Sequence, residues 1–173
     1  METKRLILRP SVFEDCVRFA EMEGTAGVRK GFTMSKDWDY NKIAPDFVKK
    51  SLDDTCEQWT IVLKETGKII GNISVVRVRE DIGEALIGYC MSRSYWGNEY
   101  MPEALKAVIN YLFDVAGMNR VCATHDSNNP KSGRVMQKAG MKYEGTLRQA
   151  GLNIQGICDS VCYSVIKSDR EQQ

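Results

Sequence analysis

Apolar positions along the chain change period several times, and each change predicts an element. "LILR", residues Leu6 to Arg9, reads as a short strand, and a helix is expected to begin near Ser11, where Ser11 and Glu14 have capping-box spacing. Ile43, Phe47 and Val48 recur at helical spacing and predict a second helix over Tyr40 to Leu52. The Gly-rich segment between them, "EGTAGVRKGFTMSKDWD", reads as a mobile surface stretch. "QWTIVLK", "KIIGNISVVRV" and "EALIGYCM" are rich in β-branched and aromatic residues and predict three strands, the first two joined by the turn "ETGK".

The clearest helix is expected from Met101 to Ala116. Pro102 suits its first turn, Gly117 its C-terminal cap, and Ala104, Leu105, Val108, Ile109, Leu112 and Phe113 form one apolar face. "RVCATH" then predicts a strand, "PKSGRVMQKAG" a short helix capped by Gly140, and "MKYEGTLRQAG" with "ICDSVCYSVIK" a closing strand pair. The run from "EALIGYCM" to "RVCATH" is a βαβ unit, which sets its two strands parallel in one sheet. The order β-α-α-β-β-β-α-β-α-β-β predicts an α+β fold in which helices sandwich a mixed sheet. No repeat or linker interrupts residues 1–173, so one domain with a short disordered tail is expected.

Charge narrows the function. With 24 basic and 23 acidic residues the chain has no global field for nucleic acid or an anionic membrane, so any anionic ligand must be held by local geometry. The polar start "METKRLILRP" and the lack of a long apolar run predict a cytoplasmic protein outside the membrane. Six scattered cysteines (Cys16, Cys56, Cys90, Cys122, Cys158, Cys162) without a CxxC pair read as buried reduced thiols. With His125 as the single histidine, no metal site is expected.

Two segments carry candidate chemistry. "RSYWGNEYMPEALKAV" lies between a strand's carboxyl end and a long helix, where unpaired amides and the helix dipole favour an anion. Taken alone, an ordinary helix start is the simpler reading. Neither G-x-G-x-x-G after the first strand nor G-x-x-x-x-G-K-[ST] occurs, so dinucleotide and P-loop readings lack their fingerprints. The second segment, "HDSNNPKSGRVMQKAGMKYEGTLRQ", sets Asn129 at a strand end and Ser132 in the first turn of a helix.

Together with "RLILRP", "IGYCMSRSYWGNEYMPEALKAVINYLF" and "DSVCYSVI", these segments resemble the GNAT superfamily of acetyl-CoA-dependent N-acetyltransferases. The resemblance covers nearly the whole chain in order. It is strongest to the branch of ribosomal-protein N-terminal acetyltransferases, the RimJ/RimL-like proteins. It implies a mostly antiparallel α/β/α sandwich with a splayed central strand pair that receives acetyl-CoA. Cys90, Met91 and Ser92 would then lie along the pantetheine arm. The pyrophosphate would rest on amides of Trp96, Gly97, Asn98, Glu99, Tyr100 and Met101. Asn129 would meet the pantetheine and Lys131 a phosphate.

Two departures from the family pattern stand out. Only Gly97 remains of the loop's glycines, and Glu99 must turn its carboxylate away from the phosphates; if it crowds them, Glu99→Gly should tighten CoA. Met136 occupies the place of the tyrosine that often protonates the leaving thiolate, and the branch offers Ser132 instead. Glu84 and His125 are the candidate bases, each with a structural reading beside it. Trp38, Tyr40, Trp59 and the strand residues Tyr143, Glu144, Thr146 and Arg148 are candidates to border the acceptor. The expected activity is acetyl transfer to a primary amine, either a protein N-terminus or a small molecule. A homodimer is implied by resemblance only. Glu99, Met136 and the lack of an obvious base also suit a second reading, a CoA-binding regulatory module without turnover.

Overall fold

The computed structural model describes residues 1–12, 14–15, 18–19 and 58–170. The helix expected near Ser11 falls largely outside these residues. So do the expected helix over 40–52, the Gly-rich segment, Cys16, Cys56, Trp38, Tyr40 and the tail at 171–173.

Seven strands form one sheet: β1 (Leu6–Pro10), β2 (Gln58–Leu63), β3 (Lys68–Arg79), β4 (Glu84–Met91), β5 (Arg120–Asp126), β6 (Lys142–Asn153) and β7 (Gly156–Ile166). Their spatial order is β1-β2-β3-β4-β5-β7-β6, and β4 with β5 is the parallel pair in an otherwise antiparallel sheet. Among the described residues the helices with defined bounds are α1 (Tyr100–Asp114), α2 (Pro130–Lys138) and the short α3 (Lys167–Arg170). The fold is α+β around a mixed sheet, and each strand and helix expected within the described residues is present. β6 runs to Asn153, beyond the stretch that the sequence pattern marked.

α1 buries the predicted face, Ala104, Leu105, Val108, Ile109, Leu112 and Phe113, with Met101 added at its start. These side chains pack on Leu6, Leu8, Ile61, Ile73, Ile87 and Val121 of the sheet. Each fully buried Leu, Ile or Phe contributes roughly 1.5–3 kcal/mol of transfer free energy. Thr60 alternates with core residues Trp59 and Ile61, so it faces the opposite side of the sheet. There it meets the Ser11 hydroxyl at 2.9 Å and the Asp15 carboxylate at 2.7 Å. Ser11 therefore spends its hydroxyl on Thr60, and Asp15, not Glu14, accepts from the Val12 amide at 3.0 Å.

β4 and β5 pair over three positions: Glu84 with Arg120, Ala85 with Val121, and Leu86 with Cys122. A polar cluster pins this closed end. Arg120 donates to Glu84 at 2.8 Å, to Glu144 at 2.7 Å and to Ser164 at 2.9 Å, and Arg77 lies 3.5 Å from Glu84. Hydrogen bonds from Arg120 hold the Glu144 carboxyl down at about 2 against the opposing effect of burial. A carboxylate depressed in the folded state stabilises above its unfolded pKa of about 4.3 and loses that contribution as pH falls toward its folded value. Glu144 is 40% exposed, so screening limits its share to about 1 kcal/mol. Denaturant melts should therefore lose stability between about pH 4.3 and 2, and Arg120→Leu should flatten the Glu144 part of that slope.

The described cysteines, Cys90, Cys122, Cys158 and Cys162, carry reduced thiols. Burial raises Cys122 to about 11 and pushes Cys158 and Cys162 up as well, so these three are not poised as thiolates.

Candidate active site

Beyond Leu86 and Cys122 the parallel strands separate. β4 continues along β3 to the pair Gly71 with Met91, and β5 continues along β7 to the pair Asp126 with Ser160. The edges of Ile87–Met91 and Ala123–Asp126 thus face each other without ladder bonds, leaving a wedge between them. Ser92 donates its amide to Ile70 at 2.9 Å, toward β3. Because consecutive strand amides alternate in direction, the Met91 amide points into the wedge. It is a fixed donor for an anionic or carbonyl oxygen.

At the wedge mouth the chain makes a 3-10 turn at Arg93–Tyr95 and then the loop that opens α1. The Trp96 indole donates to the Met91 carbonyl at 2.7 Å, tying the loop to the strand end. Gly97 has φ +82 and Glu99 φ +62, so both take left-handed backbone. For a residue with a Cβ this conformation costs about 1 kcal/mol. Among the described residues, the amides of Gly97, Asn98, Glu99, Tyr100 and Met101 donate to no protein acceptor. Five consecutive open amides at the positive end of a 15-residue helix form an anion cradle. Arg5 buttresses it from below: it donates to the Asn98 carbonyl at 2.9 Å and to Glu103 at 2.7 Å, and stacks 4.4 Å over the Tyr100 ring. The Glu99 carboxylate leaves the cradle and lies 2.6 Å from Lys138 on α2.

The other wall is the start of α2. Asn129 stands at the N-cap, and its side chain makes no cap hydrogen bond. Lys131 sits 5.3 Å over the Trp96 ring, linking α2 to the cradle. Ser132 is the third helical residue, and its hydroxyl lies 2.8 Å from the Tyr89 phenol, which also donates to the Ser132 carbonyl at 3.0 Å. Burial pushes the Tyr89 phenol well above its ordinary value, against the pull of its bond to Ser132, so it remains a proton donor. Tyr89 crosses the wedge from β4 to α2. Sequence reasoning missed it. The available signal was its hydroxyl in the alternating row Ala85, Ile87, Tyr89, Met91, which otherwise faces the core.

Other candidates lie elsewhere or serve the core. Glu84 opens β4, seven residues or roughly 23 Å from Met91 along the strand, and is ion-paired at the closed end; it is no base for this wedge. Glu144 belongs to the same cluster, where Arg120 holds its carboxylate. The His125 ring lies against α2, 2.7 Å from where a Cβ on Gly133 would stand, contacts the Asp126 carbonyl at 2.7 Å and stacks on Tyr163 at 5.8 Å. It packs between β5 and α2. Met136, in place of the usual tyrosine, is 1% exposed in the core. Trp59 packs edge-to-face on Tyr111 at 5.5 Å, within the core. Tyr143, Thr146 and Arg148 lie exposed on β6, with the Tyr143 and Thr146 hydroxyls 3.1 Å apart.

Among the described residues no helix is long and apolar enough to cross a membrane. Nor does any group of His, Cys, Asp or Glu there suit a metal ion.

The wedge and the amide cradle define an acyl-CoA-dependent transferase, and comparison with known proteins agrees. The profile of the Acetyltransferase (GNAT) domain matches residues 5–142, and the chain belongs to this family of N-acetyltransferases, with acetyl-CoA as co-substrate. The uncharacterized N-acetyltransferase p20 of Bacillus licheniformis is 26% identical over 171 residues, 96% of each chain. The ribosomal-protein-serine acetyltransferase of Escherichia coli is 31% identical over 90 residues, 52% of this chain and 50% of that one. Spermidine N-acetyltransferase from Vibrio cholerae, solved with CoA and spermine, superposes with a TM-score of 0.84 at 12% identity, covering 96% of this chain and 98% of its own.

Proposed function

We propose that this cytoplasmic enzyme acetylates α-amines, such as the N-terminus of a protein, using the β4–β5 wedge as its acetyl-CoA site. The observation that carries the proposal is the convergence of three elements: the Met91 amide, the open cradle at Gly97–Met101, and Ser132 held against Tyr89 across the wedge. The pantetheine runs along Cys90, Met91 and Ser92 with Asn129 opposite. The pyrophosphate lies on the cradle, with Lys131 in reach. The thioester oxygen takes the Met91 amide, which is preorganised for the developing oxyanion.

The amine nitrogen attacks the thioester carbon and the C–S bond breaks. The departing sulfur takes the Ser132 hydroxyl proton, which Tyr89 replaces through their hydrogen bond, and the proton that the nitrogen sheds as the amide forms returns through solvent to the Tyr89 phenol, so one proton passes in net from amine to thiol. Among the described residues both candidate bases are otherwise engaged, Glu84 in the ion pairs of the closed end and His125 packed between β5 and α2. An acceptor must therefore arrive largely neutral, which suits an α-amine of pKa about 7.7–8.0 far better than a lysine of about 10.4. The E. coli relative named for ribosomal protein supports a protein acceptor, while the V. cholerae neighbour named for spermidine supports a polyamine. The lack of a free base among the described residues favours the first. A homodimer, as in the resembling branch, is part of the proposal.

Thiol release from acetyl-CoA across a panel of unblocked peptides and polyamines tests this near pH 7.5. Release is expected to be faster with unblocked peptides. Faster release with polyamines would overturn the acceptor class. Binding of acetyl-CoA without release by any amine would instead mark a CoA-binding regulatory module.

A further inference from the structure

We propose that Lys138 is a positioning residue for the coenzyme site: its ion pair draws the Glu99 carboxylate out of the phosphate cradle, which allows a glutamate to stand where the fold needs left-handed backbone. This rests on the loop being the pyrophosphate site.

The geometry is specific to the two residues. Glu99 is the N-cap of α1, at φ +62, and its side chain makes no capping bond. A carboxylate at that place, released from any partner, is tethered by a short side chain beside amides that await an anion. Like charge there opposes phosphate binding. The Lys138 Nζ holds Oε1 at 2.6 Å instead, reaching over from the last residue of α2. Lys131 and Lys138 are seven residues apart and so share one face of α2. The first lies over Trp96 and the second on Glu99, so one helix face fixes both ends of the loop.

Both partners are about half exposed, with side chains 54% and 52% accessible. An exposed pair adds little to folding. Its effect belongs to coenzyme binding, where it decides the direction of a carboxylate beside the phosphates. Lys138→Ala should therefore fold normally and bind acetyl-CoA more weakly.

A double-mutant cycle on acetyl-CoA affinity, read by isothermal titration at low ionic strength, tests the proposal. Lys138→Ala should raise Kd about five-fold when Glu99 is present, the repulsion of two unit charges about 4 Å apart in water. In the Glu99→Gln background the same change should raise Kd less than about two-fold, because the neutral amide leaves only the loss of a screened, distant charge. Lys138→Arg should restore wild-type affinity. Equal weakening in both backgrounds would overturn the proposal, since Lys138 would then act on the phosphates by itself. No weakening in either would overturn it too. Failure of the wild-type chain to bind acetyl-CoA would instead overturn the assignment of the site.

Discussion

Ser132→Ala is expected to lower kcat and kcat/KM together by about 100-fold, the lower end of what a positioned proton donor contributes. The acetyl-CoA Kd should stay within about two-fold, because the proposed contacts to the coenzyme are chiefly backbone amides on other elements. Stability should change by no more than about 1 kcal/mol, the usual net worth of one hydrogen bond. The structure removes the competing explanation. Ser132 is not the N-cap of α2, and its hydroxyl meets Tyr89 instead of a helix amide. Tyr89 keeps its bond to the Ser132 carbonyl when the hydroxyl is gone. Tyr89→Phe should give a smaller loss, about 10-fold, because Ser132 keeps its own proton but loses its resupply. Steady-state kinetics with an unblocked peptide, beside a titration of acetyl-CoA and a thermal melt, check all four. Wild-type kcat in Ser132→Ala would remove the proton donor from the mechanism.

Gly71→Ala is expected to disable the site from outside it. Gly71 lies on β3 opposite Met91, and a Cβ built on it would come well inside 3.0 Å of the Cys90 carbonyl and 3.2 Å from the Met91 Cα. Both obstacles are backbone, so no rotamer change relieves the contact. The end of β4 must move, and with it the Met91 amide and the carbonyl that anchors Trp96. Overpacking of this kind costs about 1–3 kcal/mol. A displacement of the order of 1 Å at the reacting group costs up to about 100-fold in rate. The expected result is a lower melting temperature and, on the folded fraction at low temperature, a kcat/KM reduced by at least about 10-fold. Wild-type rate together with wild-type stability would show that β4 does not fix the thioester.

How much of this was legible in the sequence differs from element to element, for physical reasons. The apolar row of α1 and the β-branched strands declare themselves through period, because burial imposes it. Ser132 and Asn129 became candidates through the family resemblance of their segment, since local pattern alone reads them as a helix cap and a turn former. Tyr89, by contrast, looks like any aromatic in a strand until α2 brings Ser132 to it, 43 residues on. Glu84 stayed open between base and structural residue because a strand's sequence does not say which end is open; its pairing with Arg120 puts it at the closed end. The Glu99 departure looked like an obstacle because its partner, Lys138, is 39 residues away on an exposed helix face. Gly71 carried no signal at all, since close approach of two backbones is a property of the sheet and not of either strand.

The central claim, that this fold moves acetyl from acetyl-CoA to an α-amine, meets its most direct test in one peptide carrying a free N-terminus and an internal lysine. Incubated with acetyl-CoA and the enzyme near neutral pH, the peptide should gain one acetyl group on its α-amine, located by fragmentation mass spectrometry, with one equivalent of CoA thiol released. Acetylation confined to the lysine, or thiol release without any mass gain on the peptide, would contradict it.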